Sequence, residues 1–341
     1  MTDSFMAQEV AEIPQAAARF LAQSGPAVQA AAAALRARDP GLIVTVARGS
    51  SDHAATYLKY CIELAAGVPV ASVGPSIASI YGAKLRLNGA ACLGISQSGR
   101  SPDIVEMMRS AGASGAMTVA ITNFADSPMA ANSDHCLPLQ AGVEQSVAAT
   151  KTFVSSAVAG LSLLAEWRQD NALRAAVTDL PDSFAQALSL DWSPLADRLS
   201  RAQSLYVLGR GPAFAIANEA ALKFKETCGL HAESYSAAEV LHGPSAIVQA
   251  HFPVFALGVE DAALSQLIAT TERLASQGAE VFLTGAAVPG ATTLPSVAGL
   301  HPLVAPLTLI VGFYGFIEAL ARRRGFDPDT PPHLRKVTET V

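Results

Sequence analysis

Two stretches of this chain share one arrangement of strand, turn and helix, and this repetition is the strongest constraint on its fold. The segment at 44–67 can be laid over the segment at 205–229. A spacing that is kept over about 75 residues with few identities is typical of a duplicated domain. The matched pairs, each 162 positions apart (210 − 48, 211 − 49, 229 − 67, 281 − 119, 284 − 122), are Arg48 with Arg210, Gly49 with Gly211, Gly67 with Gly229, Val119 with Val281, and Thr122 with Thr284.

Short apolar segments alternate with longer helical stretches in the first copy. The apolar segments lie at 42–47, 68–73, 90–95 and 116–122. Such alternation is typical of a parallel sheet covered by helices on both faces. The fold class that the pattern predicts is therefore α/β, with two tandem doubly wound domains that each contain a parallel sheet.

The length of 341 residues also exceeds what one core usually serves, which agrees with two domains. The first 40 residues are rich in alanine, and Pro14, Pro26 and the "DPG" at 39–41 interrupt them. We predict N-terminal helices over 1–40, a first domain over 41–180, a second domain over 195–330, and a C-terminal tail over 331–341.

Charge and cysteine content exclude several classes of protein. The formal net charge of −6 offers no basic surface for nucleic acid, so an anionic ligand must be held locally by amides, hydroxyls and a few cations. The four cysteines are widely separated and no basic, apolar leader is present, which predicts a reduced, cytoplasmic protein. The seven histidines show no metal-binding spacing, so we predict neither metal nor cofactor.

One uncharged stretch, "PLVAPLTLIVGFYGFI" at 302–317, resembles a membrane span. It is shorter than the roughly 20 apolar residues that a span needs and contains two prolines. We therefore predict a buried or interface helix and no membrane partner.

Hydroxyl-rich turns follow two strands of the first domain. The turn "SQSGRSPD" (96–103) follows one strand, and "ARGSSDH" (47–53) follows another. In a doubly wound sheet, ligands bind at the carboxyl ends of the strands, where helix N-termini offer free amides to anions. One such turn alone would suggest only a capped helix, but two at one sheet edge predict a phosphate site. Its candidate residues are Ser50, Ser51, Ser96, Gln97, Ser98 and Ser101, with Ser101 capping the helix that follows.

The second copy has "GVED" (258–261) where the first has "SQSG", and its carboxylates would repel a phosphate. It carries other polar residues. Glu219, Lys223 and Glu226 lie on one face of a helix, which by spacing alone favours a solvated charged face. His242 lies in a Gly/Pro turn, where a single histidine is more often structural than catalytic.

Six motifs, in the same order along the chain, resemble the SIS (sugar isomerase) domain family, specifically the isomerase half of glutamine–fructose-6-phosphate aminotransferase. The likeness covers nearly the whole chain, and it implies tandem flavodoxin-like SIS domains. After a lead-in "FMAQEVAEIP" (5–14), the motifs are "ARGSSDHA", "SQSGRSPD", "EQSVAATKTF" (144–153), "EAALKFKE" (219–226), "AAEVLHGPSAIV" (237–248) and "LRKVTETV" (334–341).

The resemblance implies a role for each matching residue. The serines and Gln97 would hold the sugar phosphate, and Val147 would line the sugar. Glu226 would move a proton between C1 and C2, and His242 would assist ring opening in the site of a neighbouring subunit, which implies a homodimer. Lys336 would close the site and help open the ring, or form an imine with the sugar carbonyl. Lys223 is a further candidate for substrate binding.

The chain also departs from the family pattern. No glutaminase domain precedes residue 40, and Thr2 stands where the family has its nucleophilic cysteine. Arg48 and Arg335 replace small residues, and Arg100 replaces an acidic or polar one. We expect Arg48 or Arg335 to add positive charge near the sugar.

A chain with isomerase residues but no ammonia source favours the catabolic reaction, the conversion of glucosamine 6-phosphate to fructose 6-phosphate and ammonia. An ammonia-using synthase or a fructosamine-phosphate deglycase would have the same organisation. A non-catalytic sugar-phosphate sensor is a third alternative, although a sensor would not need all three of Glu226, His242 and Lys336. The epimer of the sugar stays open.

Overall fold

The computed structural model describes residues 4–336, and within them the chain divides into two compact units. The first unit comprises residues 12–144 and 151–181. The second unit comprises residues 4–11, 145–150 and 182–336. Each unit contains one five-stranded sheet in which every neighbouring pair of strands is parallel.

The elements are numbered in chain order. Up to residue 168 they are α1 (Phe5–Ala11), α2 (Ile13–Gln23), α3 (Gly25–Arg38), β1 (Ile43–Val46), α4 (Ser50–Ala66), β2 (Val70–Ser72), α5 (Ser76–Ser79), β3 (Ala91–Ile95), α6 (Pro102–Ala113), β4 (Met117–Thr122), α7 (Pro128–Ala131), β5 (His135–Pro138) and α8 (Lys151–Arg168). They continue with α9 (Asn171–Thr178), α10 (Leu180–Ala187), α11 (Ser193–Leu199), β6 (Ser204–Gly209), α12 (Pro212–Cys228), β7 (His231–Ser236), β8 (Pro253–Ala256), α13 (Leu264–Ser276), β9 (Glu280–Leu283), β10 (Ala291–Thr293) and α14 (Ala305–Arg323).

The two sheets have the same topology. The strand order is β2-β1-β3-β4-β5 in the first unit, and β7-β6-β8-β9-β10 in the second. Numbered within each unit, both orders are 2-1-3-4-5, which is the flavodoxin-like doubly wound order. The predicted fold class is confirmed.

The duplication extends to the backbone of the turns. Helices α4 and α12 both have 17 residues, and their first residues, Ser50 and Pro212, are 162 positions apart (212 − 50). Gly49 and Gly211 precede them with nearly the same dihedral angles, φ 53° and ψ −134° against φ 58° and ψ −137°. Positive φ at both positions is a conformation that glycine adopts without steric cost. The shared spacing therefore reflects a shared backbone.

Burial of the central strands explains their apolar sequences. Every residue of β1, β3 and β8 is buried, because helices cover both faces of a parallel sheet. In the first unit, side chains of α6 such as Met107 and Met108 pack against Val44, Val46 and Cys92. This packed core therefore fixes the carboxyl ends of β1 and β3.

Helix α14 contains most of the apolar stretch at 302–317. Among the described helices it is the one that is long and apolar enough to cross a membrane, so its length does not exclude a span. However, 72% of the apolar window is buried inside the protein. Phe313 of α14 packs on Phe224 of α12 with ring centroids 5.2 Å apart. Packing within the second unit therefore accounts for its apolar sequence.

Candidate active site

The two hydroxyl-rich turns lie at neighbouring strand ends of the first unit. Strands β1 and β3 are hydrogen-bonded to each other, and the strand order reverses between them. This is the topological switch point, at which ligands bind in open α/β sheets. Gly49 leads from β1 into α4, so Ser50 and Ser51 occupy the first turn of that helix and are half-buried.

The turn after β3 uses its own hydroxyls as acceptors. Ser96 Oγ accepts a hydrogen bond from Gly99 N at 3.2 Å, and Ser98 Oγ accepts one from Arg100 N at 3.3 Å. A hydroxyl that accepts in this way still has its proton to donate. The two serines can therefore bind an anion while they fix the turn, and Gln97 and Ser98 remain half-buried at its surface.

Ser101 begins helix α6 as predicted, but not by capping. Its backbone is extended and Pro102 is the first helical residue, yet the Ser101 side chain makes no capping hydrogen bond. Asp103 Oδ1 instead accepts a hydrogen bond from Ile104 N at 2.8 Å. The predicted serine cap was wrong, because the acidic residue two positions later interacts with the helix start. The Ser101 hydroxyl is not used by the helix.

Arg48 joins the two turns. Its Nε donates to Asp103 Oδ2 at 2.5 Å, and its Nη2 forms an ion pair with the same oxygen. Asp103 is fully buried and the Arg48 side chain is 43% exposed. The arginine therefore neutralises a buried carboxylate and connects the turn after β1 with the start of α6. Arg100 and Arg335 are exposed.

Helix α12 of the second unit holds a buried series of charges. Lys223 Nζ lies 3.2 Å from Glu219 Oε1 and 2.5 Å from Glu226 Oε2. Lys223 and Glu219 are fully buried, and the Glu226 side chain is 21% exposed. Tyr314 of α14 donates to Glu219 Oε1 at 3.0 Å. The solvated charged face that the spacing favoured is wrong, because α14 covers this side of α12.

The two carboxylates keep Lys223 charged. Burial disfavours the ammonium and lowers the pKa of Lys223, but the charges of Glu219 and Glu226 and their hydrogen bonds outweigh burial and raise the pKa above its ordinary value. Glu226 therefore has a permanent cation against one oxygen, while part of its side chain reaches the surface.

His242 follows a short 3₁₀ turn, Glu239–Leu241, and is exposed. Its backbone N donates to Glu239 O at 2.9 Å, and no hydrogen bond of its ring is found among residues 4–336. The turn itself is held from strand β6, because Tyr206 Oη donates to Pro244 O at 2.9 Å. The imidazole is therefore free to meet a partner while its backbone is fixed.

Lys336 and the segment 145–150 meet in the second unit. Lys336 Nζ donates to Ser146 O at 2.7 Å, and Val147 N donates to Asp329 O at 3.2 Å. Val147, the predicted sugar contact, is half-buried beside these bonds. The structure thus places Lys336 in contact with the segment 145–150, which contains Val147. The last five residues of the "LRKVTETV" motif lie outside the described residues.

Sequence reasoning missed the partners of these residues. Asp103 was visible in the quoted turn, but its pairing with Arg48 spans 55 positions. The sequence does not distinguish Tyr206 and Tyr314 from other core residues, because they lie within an apolar strand and an apolar helix. Within the described residues no group of three His, Cys, Asp or Glu side chains is placed to hold a metal.

Comparisons with known proteins agree with this architecture. The SIS domain model matches residues 38–166 and 198–284. Glutamine–fructose-6-phosphate aminotransferase (isomerizing) of Halobacterium salinarum is 35% identical over 312 residues, which cover 85% of this chain and 50% of that protein. The chain thus spans about half the length of the curated relatives it matches.

Two solved structures have the same fold over nearly the whole chain. A proposed phosphosugar isomerase from Silicibacter pomeroyi is 54% identical, with a TM-score of 0.93 and coverage of 96% of this chain and 100% of that one. The C-terminal domain of glucosamine-fructose-6-phosphate aminotransferase from Francisella tularensis is 25% identical, with a TM-score of 0.87 and coverage of 97% and 99%. This chain therefore belongs to the SIS domain family and corresponds to the isomerase part of glutamine–fructose-6-phosphate aminotransferase.

Proposed function

We propose that this chain is a sugar-phosphate isomerase that acts on hexosamine 6-phosphates, and that its net reaction converts glucosamine 6-phosphate to fructose 6-phosphate and ammonia. The serines at 50–51 and 96–101 bind the phosphate. His242 protonates the ring oxygen during ring opening, and Glu226 transfers the proton between C2 and C1. Lys336 acts at the opened sugar, and water then hydrolyses the ketose imine to release ammonia.

The observation that carries the proposal is the environment of Glu226. A base that takes a proton from one carbon and returns it to the next must be fixed in place and must reach the substrate. Lys223 fixes one oxygen of Glu226 at 2.5 Å, and the side chain stays 21% exposed. Lys223 is in turn fixed by Glu219, which Tyr314 holds. A pair of charged side chains on a solvated surface would not need these buried contacts to Glu219 and Tyr314.

The direction of the reaction rests on mass action. The relatives' names describe amination of fructose 6-phosphate with isomerisation. The same proton transfer run in reverse gives a ketose imine, which water hydrolyses. Because water is in large excess over free ammonia, hydrolysis is the favoured outcome wherever ammonia is not delivered to the site.

Ammonia release from glucosamine 6-phosphate tests the proposal. A panel with galactosamine 6-phosphate and fructosamine 6-phosphate identifies the epimer and separates a deaminase from a deglycase. Glu226→Gln keeps the size of the side chain but cannot accept a proton, so we expect at least about a thousandfold loss in kcat. The matched control is Glu272→Gln, which removes an exposed carboxylate on α13 and should leave kcat unchanged.

Two results would contradict the proposal. Ammonia-dependent synthesis without measurable deamination would indicate the synthase. Tight binding of hexosamine 6-phosphates, with neither ammonia release nor isomerisation by the unaltered protein, would indicate a sensor.

The predicted sharing of His242 between subunits has its own test. If each site takes Glu226 from one subunit and His242 from its neighbour, a mixed dimer of Glu226→Gln and His242→Asn chains contains one intact site. We therefore expect that mixing the two inactive variants, under conditions that allow subunit exchange, restores activity. No recovery in a verified heterodimer would contradict shared sites.

A further inference from the structure

Ser146 is held from two sides within the second unit. Its backbone N and hydroxyl point to Glu9 of helix α1, and its carbonyl oxygen accepts the hydrogen bond from Lys336. Ser146 is fully buried. One residue thus links the N-terminal helix to the lysine of the C-terminal segment.

Glu9 is a buried carboxylate whose hydrogen-bond donors come from this segment. The residue is 5% exposed. Glu9 Oε1 accepts from Gln145 N, and from Ser146 N at 3.3 Å, while Oε2 accepts from Ser146 Oγ. A carboxylate that receives three donors from two adjacent residues fixes their backbone, because charge-assisted hydrogen bonds are about twice as strong as neutral ones.

A second set of contacts ties the same parts together. Asp329 O accepts from Val147 N at 3.2 Å, and the Asp329 carboxylate accepts from Phe5 N and Met6 N, each at 2.8 Å. Helix α1, the segment 145–147 and the chain from Asp329 to Lys336 therefore form a closed ring of hydrogen bonds. Within this ring, Glu9 contributes a buried carboxylate that bonds Ser146, the residue whose carbonyl holds Lys336.

We propose that Glu9 is a positioning residue for Lys336. By fixing the backbone of residues 145 and 146, its carboxylate orients the Ser146 carbonyl, and that carbonyl holds the Lys336 ammonium. Helix α1 is then part of the catalytic apparatus rather than only a packing element. The catalytic consequence rests on the proposed function, in which Lys336 acts on the opened sugar.

The amine reactivity of Lys336 tests the positioning without any substrate. The folded protein is methylated with formaldehyde and a borane reductant, and each lysine is followed by peptide mass spectrometry. Exposed Lys225 reports the strength of the reagent, and fully buried Lys223 reports unfolding. In Glu9→Gln one carboxylate oxygen is replaced by an amide NH₂ group, which cannot accept the hydrogen bonds from residues 145 and 146. We therefore expect Lys336 to be methylated roughly three to ten times faster relative to Lys225, while Lys223 stays protected.

Two further variants complete the test. Ser146→Ala removes a single donor to Glu9 and keeps the carbonyl, so it should fold and give a smaller increase in the same direction. Glu12→Gln is the matched control, because Glu12 pairs with buried Lys151 and forms no hydrogen bond with residues 145–147 within residues 4–336. An unchanged Lys336 rate in both Glu9→Gln and Ser146→Ala would overturn the proposal, as would an equal increase in Glu12→Gln.

Kinetics then separate the positioning role from the function. With glucosamine 6-phosphate we expect Glu9→Gln to lower kcat by roughly tenfold, as for the loss of a hydrogen bond to a charged group, with KM within about twofold. A raised KM at constant kcat would contradict positioning of Lys336. If no variant or unaltered protein turns over any hexosamine 6-phosphate, the proposed function fails, and the methylation result still decides whether Glu9 positions Lys336.

Discussion

Lys223→Met removes the ammonium that lies between two carboxylates of α12, and we expect it to destabilise the second unit strongly. Lys223 and Glu219 are fully buried and 3.2 Å apart, so the variant leaves the Glu219 charge buried without its cation. Removing one partner of a buried ion pair costs about 3–5 kcal/mol, because the remaining charge is desolvated and uncompensated.

The expected loss corresponds to a large thermal shift. In a folding unit of this size each kcal/mol changes Tm by about 2–4 °C, so Lys223→Met should lower the Tm of the second unit by roughly 6–20 °C. Differential scanning calorimetry resolves the two units if they unfold separately. The matched control is Lys225→Met, the same change two residues along the helix at an exposed position, where we expect less than about 1 kcal/mol.

The pH dependence identifies the cause. The pKa of Lys223 is raised in the folded protein, so its stabilising contribution is complete below the pKa of a free lysine and is lost only as the pH rises through the raised value. It is therefore constant near neutral pH. In Lys223→Met the Glu219 side chain is buried without a cation, which favours its neutral form, so the loss of unfolding free energy relative to the unaltered protein should shrink as the pH falls. A deficit that is independent of pH, or equal to that of Lys225→Met, would refute the reasoning.

Three further changes test the first unit and the histidine turn. Asp103→Asn removes the charge that ties together the two serine-rich turns, which we propose bind the phosphate, so calorimetric titration should show roughly three to ten times weaker binding of fructose 6-phosphate; tighter binding would contradict this. Tyr206→Phe removes only the hydroxyl that holds the histidine turn and should lower kcat/KM about fivefold, whereas Tyr235→Phe, whose hydroxyl bonds elsewhere, should not. Gly99→Ala places a methyl group 2.2 Å from a serine hydroxyl at φ +61° and should lower the stability of the first unit by about 1–3 kcal/mol, whereas Gly25→Ala, with open space around it, should be nearly neutral in a chemical-denaturation experiment.

The fold could be predicted from the sequence because its information is local. Alternation of apolar strands and helices indicates a parallel sheet, and the offset of 162 positions indicates the second copy from sequence alone. The first residues of α4 and α12 are 162 positions apart, and so are their last residues. The two prolines near the start also act as predicted, since Pro14 and Pro26 lie in the first turns of α2 and α3.

The candidate site was less accessible to prediction, because its contacts join residues that are far apart in the chain. The spacing of Glu219, Lys223 and Glu226 showed that they share a face, but not that α14 covers this face. Helical periodicity cannot distinguish a solvated charged face from a buried one. The predicted capping by Ser101 was wrong for a related reason. Capping propensity identifies the residue type that caps best, but it does not show that Asp103 accepts the hydrogen bond from Ile104 N instead.

The two copies share the geometry of one turn but differ in the side chains that it carries. In both, a threonine at the end of the fourth strand bonds the turn after the third: Thr122 Oγ1 donates to Gln97 O at 3.3 Å, and Thr284 Oγ1 donates to Gly258 O at 3.0 Å. In the second copy Asp261 Oδ1 accepts from Ala263 N at 2.8 Å. The protein's own carboxylate thus accepts a hydrogen bond from a backbone amide in the turn that corresponds to the serine-rich turn of the first copy. An external anion would have to displace this carboxylate and overcome its charge, so the duplicated turn differs between the copies: it carries a carboxylate in the second and serine hydroxyls in the first.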